Sequence, residues 1–246
     1  FIPCNGRIPM LITLSTVFFA ASYGSNSFIV SLIMVALLLL SVAVTLLVSK
    51  LLSLFYSSGS NAFIMELPSY KKPQVIKTIA LSIKNKVINI LGRAVAVALP
   101  AGALIWILAN IHIADVSILS YVTNFLNPFG KAIGVDGTVL TAFILGFPAN
   151  EIVIPIMLMS YTSGSSLADI STLSSFAQLL TENGWSSITA ICTLVLCIFH
   201  FPCSTTCITI YKETKSIKLT LLSIVIPMVI GILLCFTLNQ AYQIFF

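Results

Sequence analysis

The chain has 246 residues, 58% of them hydrophobic and 8% charged, with net charge +5 and mean hydropathy +1.09. A soluble domain is about one-quarter charged, so this composition excludes a water-facing globule and defines an integral membrane protein. Apolar runs recur along the whole length, which excludes a lone secretory signal. No aromatic and basic face is present to receive nucleic acid.

The chain opens with "FIPCNGR", in which Pro3-Cys4 places a helix breaker beside a soft ligand. Residues 8–23 form a short apolar candidate span and residues 28–55 a long one. At 1.5 Å per residue the second reaches about 42 Å, more than the roughly 30 Å hydrocarbon core, so it tilts or extends past the membrane. Residues 56–70 are a turn-rich link with Gly59, Asn61 and Pro68. From Lys71 to Arg93, Ile76, Ile79, Ile83, Val87 and Ile90 recur at helical spacing among Lys71, Lys72, Lys77, Lys84 and Lys86. That pattern predicts an amphipathic helix on the cytoplasmic interface. Three units follow: membrane helices over 1–56, a cytoplasmic link and interfacial helix over 57–93, and a membrane repeat over 94–246.

The next span is 94–111, with Pro100 inside it and Trp106 near its outer end. Residues 112–137 read as a mixed loop holding His112, Asp115, Pro128, Gly130 and Asp136. Residues 138–160 are apolar but interrupted by Gly146-Phe147-Pro148-Ala149-Asn150-Glu151, and 161–185 form a polar loop without lysine or arginine. Spans at 186–208 and 219–240 close the chain, the first containing "HFPCSTTC", His200 to Cys207. The fold class is all-α, a polytopic membrane bundle with broken helices.

Charge placement tests this count. With the basic stretch 71–93 inside, span 94–111 runs outward and loop 112–137 lies outside. A single crossing by 138–160 would put Lys212, Lys215 and Lys218 outside, against the positive-inside preference. A segment that enters and returns, breaking at Gly146-Phe147-Pro148, restores it. Residues 138–160 are therefore expected to form a re-entrant hairpin or two half-helices. Broken backbone at membrane depth is tolerated where it lines a cavity, and it marks transporter binding sites. Pro3, Pro148 and Pro202 are three such breaks.

Glu151 is the most informative acid, because a charge at the bilayer centre costs roughly 2.5–3.5 kcal/mol and faces a partner, a cavity or an ion path. Asn150 adds an amide oxygen beside it. Cys203, next to Pro202, can face a passing ion, with Cys207 one turn later and the hydroxyls of Ser204, Thr205 and Thr206 nearby. Cys4 with Asn5 repeats this chemistry. Thiols combined with carboxylate oxygen suit late divalent transition metals. The absence of a CxxC or HxxxH cluster argues against a closed structural zinc site. Cys192, Cys197 and Cys235 read as packing residues, His200 as bonded to a carbonyl, and Arg7 and Arg93 as surface anchors. Neither HExxH nor G-x-S-x-G occurs, which speaks against an intramembrane hydrolase. No GxxxxGK[ST] loop is present to bind GTP or ATP.

These residues resemble the ferrous iron transporter B family. "FIPCNGRIPML" is similar to the start of its central membrane segment, and "ELPSYKKPQ" to the stretch leading into its second gate, or nucleoside-recognition-like, repeat. "GFPANE" is similar to its glycine-to-glutamate gate motif, and "FHFPCSTT…YKET" to its late Cys motif and following basic turn. The resemblance implies multi-pass insertion in a bacterial cytoplasmic membrane and uptake of Fe²⁺ as the transported ion, with no permanently bound cofactor. It implies Cys4 and Cys203 as pathway thiols and Glu151 as a gate residue; Asn150 and Cys207 complete the candidate metal set. The family usually carries lysine before this glutamate, whereas Asn150 stands here. It also implies partners within one longer protein, a GTPase domain and a first gate repeat, with this chain as the carboxy-terminal half. A homo-oligomer is left open. The alternatives are a nucleoside or other solute carrier, since the gate repeat resembles that class, and a non-transporting membrane scaffold.

Overall fold

The computed structural model describes residues 3–4, 6–20, 27–55, 76, 81–83, 87–113, 116–162 and 173–245. Ten α-helices carry these residues: α1 Arg7–Ser15, α2 Ser27–Phe55, α3 Ile88–Asn110, α4 Ile118–Ile133, α5 Gly137–Leu145, α6 Val153–Tyr161, α7 Leu173–Glu182, α8 Ser187–Phe199, α9 Ser204–Thr214 and α10 Ile217–Phe245. A π-helical turn, Thr16–Ala20, continues α1, and a 3₁₀ turn, Asn150–Ile152, precedes α6. One ladder of two residues per strand, His112–Ile113 (β1) with Val116–Ser117 (β2), joins α3 to α4. Apart from that short ladder the described elements are helical, and a helix satisfies its backbone polar groups within one segment, as lipid demands.

Among the described residues, three helical stretches are long and apolar enough to cross a membrane: Phe28–Leu54, Ser187–Thr214 and Ile217–Ile244. Their outer faces carry exposed apolar side chains, such as Leu221, Val225, Val229 and Leu233 at one-turn spacing on α10. On α2 the hydroxyls of Ser41 and Thr45 donate to Leu38 and Ser41 carbonyls at 2.9 and 2.6 Å. Polar side chains thus cross the apolar layer satisfied by their own helix. Helix α8 is the hub: Ala190 and every residue from Cys192 to Phe199 are buried. It packs against α1, α2 and α10. Cys192 and Cys235 donate to one another's backbone carbonyls across the α8–α10 contact, and with buried Cys197 they serve as packing residues.

The segment after Asp136 doubles back on itself. Tyr161, the last residue of α6, donates its hydroxyl to Asp136 Oδ2 at 2.9 Å, just before the start of α5. Trp185 Nε1 donates to the same hydroxyl at 2.8 Å. The two half-helices therefore have their open ends together and their break, 146–152, at the far tip. Gly146 makes the close turn: a Cβ there would overlap Val153 Cγ2.

Two loops of the sequence reading are corrected. Residues 112–137 hold α4, a 16-residue helix bent 110° from α5, rather than an irregular loop. Its N-cap is Ser117, whose hydroxyl accepts from Ser120 N, and it stops at Gly134 with φ 85°. The polar stretch 161–185 likewise contains α7. The expected interfacial helix falls largely outside the described residues, including Lys71, Lys72, Lys77, Lys84 and Lys86; so do Gly59, Asn61 and Pro68.

Candidate ion site

Helix α8 ends before Pro202, which has no N–H to offer Ile198 O and disfavours helical backbone at Phe201; its C-cap, His200, is already extended with ψ 169°. Helix α9 restarts after Cys203, its N-cap. The hairpin tip docks on this gap. Ser204 N donates to Phe147 O at 2.9 Å, and Ser204 Oγ donates to Pro148 O at 3.1 Å. The third break joins them. Cys4 O accepts from the N–H groups of Arg7 and Ile8 at the start of α1. Pro3, Pro148 and Pro202 thus mark one place in the fold.

Arg7 corrects the expectation of a surface anchor. It is buried, 6% exposed. Its guanidinium donates to Ile198 O at 2.9 Å, His200 O at 3.3 Å and Phe201 O at 2.9 Å. These are carbonyls left without helical partners by the end of α8, where the helix dipole favours a cation. The break and the arginine satisfy each other. Only Arg7 Nε among the guanidinium nitrogens has no partner.

The three breaks, α2 and the first half of α10 border an open cavity of about 440 Å³. Its polar wall is Cys4, Arg7, Asn150, His200, Cys203, Thr206 and Ser223; its apolar wall includes Val48, Leu52, Leu222 and Ile226. Cys203 Sγ lies 3.1 Å from Thr205 Oγ1 and 3.2 Å from Thr206 Oγ1. The Asn150 carboxamide lies between Cys4 and His200, its Nδ2 3.8 Å from Cys4 Sγ and its Oδ1 3.2 Å from His200 Nε2. His200 Nδ1 is 2.9 Å from Cys197 O. Among the described residues no group of three His, Cys, Asp or Glu side chains forms a closed metal cage.

Of the five residues assigned to the metal path, Cys4, Cys203 and Asn150 share the cavity wall. Glu151 does not line it: it is exposed on the hairpin tip, where a Cβ on Gly6 would lie 3.2 Å from its Cγ. Cys207 is buried with its Sγ donating to Pro202 O at 3.5 Å, off the cavity wall. Sequence reasoning overlooked Pro227, which lies inside α10 and lines the cavity. Its signal, a proline in an apolar run, was the one used for the other breaks.

A second cavity of about 560 Å³ sits at the other end of the bundle, lined by Lys131, Asp136, Asn183, Trp185, Thr189, Asn239 and Tyr242, among others. The first residues of α8 border it, and the last border the thiol cavity. The 13 residues of α8 therefore separate the two by about 20 Å.

Broken helices meeting at a polar cavity, inside a bundle with lipid-facing apolar helices, define a multi-pass membrane protein of the discontinuous-helix type. The family profile described as "Nucleoside recognition", the gate profile, matches residues 91–217, and "Ferrous iron transport protein B C terminus" matches residues 34–85. The chain belongs to the gate family, in the arrangement of the carboxy-terminal membrane portion of ferrous iron transport protein B.

Relatives align over nearly the whole chain. The Fe(2+) transporter FeoB of Staphylococcus aureus (strain MSSA476) is 27% identical over 255 residues, covering 100% of this chain and 36% of the relative. The Fe(2+) transporter FeoB of Leptospira interrogans is 26% identical over 267 residues, covering 99% of this chain and 38% of the relative. That of Synechocystis is 23% identical over 250 residues, covering 98% and 37%. The chain thus spans little more than a third of the length of these relatives. No solved structure matches it.

Proposed function

We infer that this chain is the part of a ferrous iron uptake system through which Fe²⁺ passes, in a bacterial cytoplasmic membrane. The observation that carries the reading is that Cys4 and Cys203, from opposite ends of the chain, line one cavity with Asn150. Relatives named as Fe(2+) transporters, aligned over the chain's full length, supply the ion. A partly dehydrated Fe²⁺ exchanges water for two sulfurs, the Asn150 amide oxygen and nearby hydroxyl or carbonyl oxygens, a mixed set that suits a borderline metal. The site stays open and its ligands few, because conduction needs binding weak enough to release.

Arg7 sets the electrostatics. A fixed guanidinium in the wall repels a bare cation, so occupancy depends on the thiols giving up protons as the metal binds. Glu151, outside the cavity at the hairpin tip, acts on the position of the break rather than as a ligand. On the positive-inside preference, Lys212, Lys215 and Lys218 around the α9–α10 turn support a cytoplasmic side for the thiol cavity and an outer side for the Asp136 cavity. A GTPase domain and a first gate repeat, in the remainder of the complete protein, are the partners of this half. Nucleoside carriage is not favoured by relatives that are named for iron.

The test is Fe²⁺ uptake by proteoliposomes holding the complete protein. Cys203→Ser is expected to lower flux by about tenfold or more. Wild-type flux in Cys203→Ser would refute the path.

A further inference from the structure

His200 faces a hydrogen-bond mismatch that the cavity must resolve. Its Nδ1 points at Cys197 O and its Nε2 at Asn150 Oδ1, both of which accept. A neutral imidazole has one N–H and cannot donate to both. An imidazolium would be a second buried cation beside Arg7, and the cavity wall holds no carboxylate to neutralise it. The Cys197 carbonyl has no choice of role, whereas a carboxamide does: its two ends are alike in size and differ only in which carries hydrogen.

We propose that His200 is a positioning residue that turns the Asn150 carboxamide so that its oxygen, not its nitrogen, faces Cys4 and the cavity. The chain of bonds is consistent throughout. His200 Nδ1–H donates to Cys197 O; Asn150 Nδ2–H donates to the Nε2 lone pair; Asn150 Oδ1 accepts the Cys4 S–H. When a divalent metal displaces that thiol proton, a sulfur and an amide oxygen already point at the same spot. In the orientation described above, with Nδ2 toward Cys4 and Oδ1 toward His200, an N–H₂ group would point at the cation and the site would lose a ligand. Phe143, with its ring centroid 4.8 Å from that of His200, holds the imidazole in place. This ring orientation by an outer bond is how supporting residues tune a metal site. The proposal rests on the ion-site reading above.

The experiment uses the complete protein in nanodiscs with Co²⁺ as the probe, following the thiolate-to-cobalt absorbance, together with Fe²⁺ uptake. His200→Asn keeps a donor for Cys197 O but lacks a group reaching Asn150; His200→Gln places an acceptor near the old Nε2. Co²⁺ affinity is expected to fall about tenfold in His200→Asn and less than about threefold in His200→Gln. Uptake should show the loss as a higher KM with Vmax retained.

The decisive comparison is His200→Asn made on top of Asn150→Asp. A carboxylate offers oxygen at both ends, so the orientation no longer matters and the second change should cost less than about threefold. An equal loss in both backgrounds would mean that His200 only supports the fold, and would overturn the proposal. Unchanged affinity in Asn150→Ala, with Cys203→Ser still disabling binding, would overturn it while leaving the thiol site standing. Unchanged affinity in both Cys4→Ser and Cys203→Ser would remove the ion site itself.

Discussion

Arg7 shows how a charge survives at depth in this chain. Its three charge-assisted bonds go to carbonyls of the α8 terminus, and each such bond contributes roughly 1.5–3 kcal/mol. Arg7→Gln is expected to lower stability by about 3 kcal/mol, read as a fall in unfolding temperature in detergent. Arg7→Lys recovers only part, because an ammonium lacks the planar fork that reaches three acceptors. The two late cysteines separate by direction. Cys207 bonds to Pro202 O away from the cavity, so Cys207→Ala should leave Fe²⁺ uptake near wild type while Cys203→Ser does not. The Pro-Cys pairs were legible in the sequence because a helix breaker beside a thiol is rare in an apolar run. Arg7 was not, because its partners lie at the other end of the chain and are backbone atoms. No side-chain pattern announces them.

At the level of elements, the hairpin of α5 and α6 is the piece that builds the site. Its tip carries Asn150 to the α8–α9 break, and its open end is fastened by the Trp185–Tyr161–Asp136 bonds. Gly146→Ala would drive a methyl into Val153, a kind of overpacking that costs about 1–3 kcal/mol. Thermal unfolding should register that loss, and Fe²⁺ uptake should fall with it as the tip shifts. The hairpin could be deduced from charge because its alternative placed three lysines on the wrong side. Helix α4 could not be deduced so easily. Ile118, Leu119, Val122, Phe125, Leu126, Phe129 and Ile133 keep helical spacing, yet Pro128 and Gly130 within it read as loop. Both are tolerated: Pro128 lies inside the helix, and at Gly130 a Cβ would lie 2.8 Å from Val135 O, where the chain doubles back. The close approach needs the residue that resembled a breaker.

For the whole molecule, two cavities lie at opposite ends of α8, one lined by thiols and one bordered by Asp136 and Lys131. Cysteines introduced singly as Lys215→Cys and Asn183→Cys, in a variant with its accessible native thiols removed, should be labelled from opposite sides of intact cells. An impermeant maleimide is expected to reach the second and not the first. Labelling of both from outside would reverse the orientation of the bundle. The class of fold was plain from composition, since so few charges cannot coat a soluble surface. The shared cavity was not, because nothing in spacing says that breaks so far apart along the chain meet.

That meeting is the claim on which the rest depends, and Fe²⁺ uptake by the complete protein in proteoliposomes tests it most directly. Cys4→Ser and Cys203→Ser are compared alone and together. Groups acting on one ion at one site lose their effects non-additively. Each single change should therefore reduce flux about tenfold or more, with the double change little worse than either. Independent, multiplying losses, or full flux in either single variant, would contradict a common site.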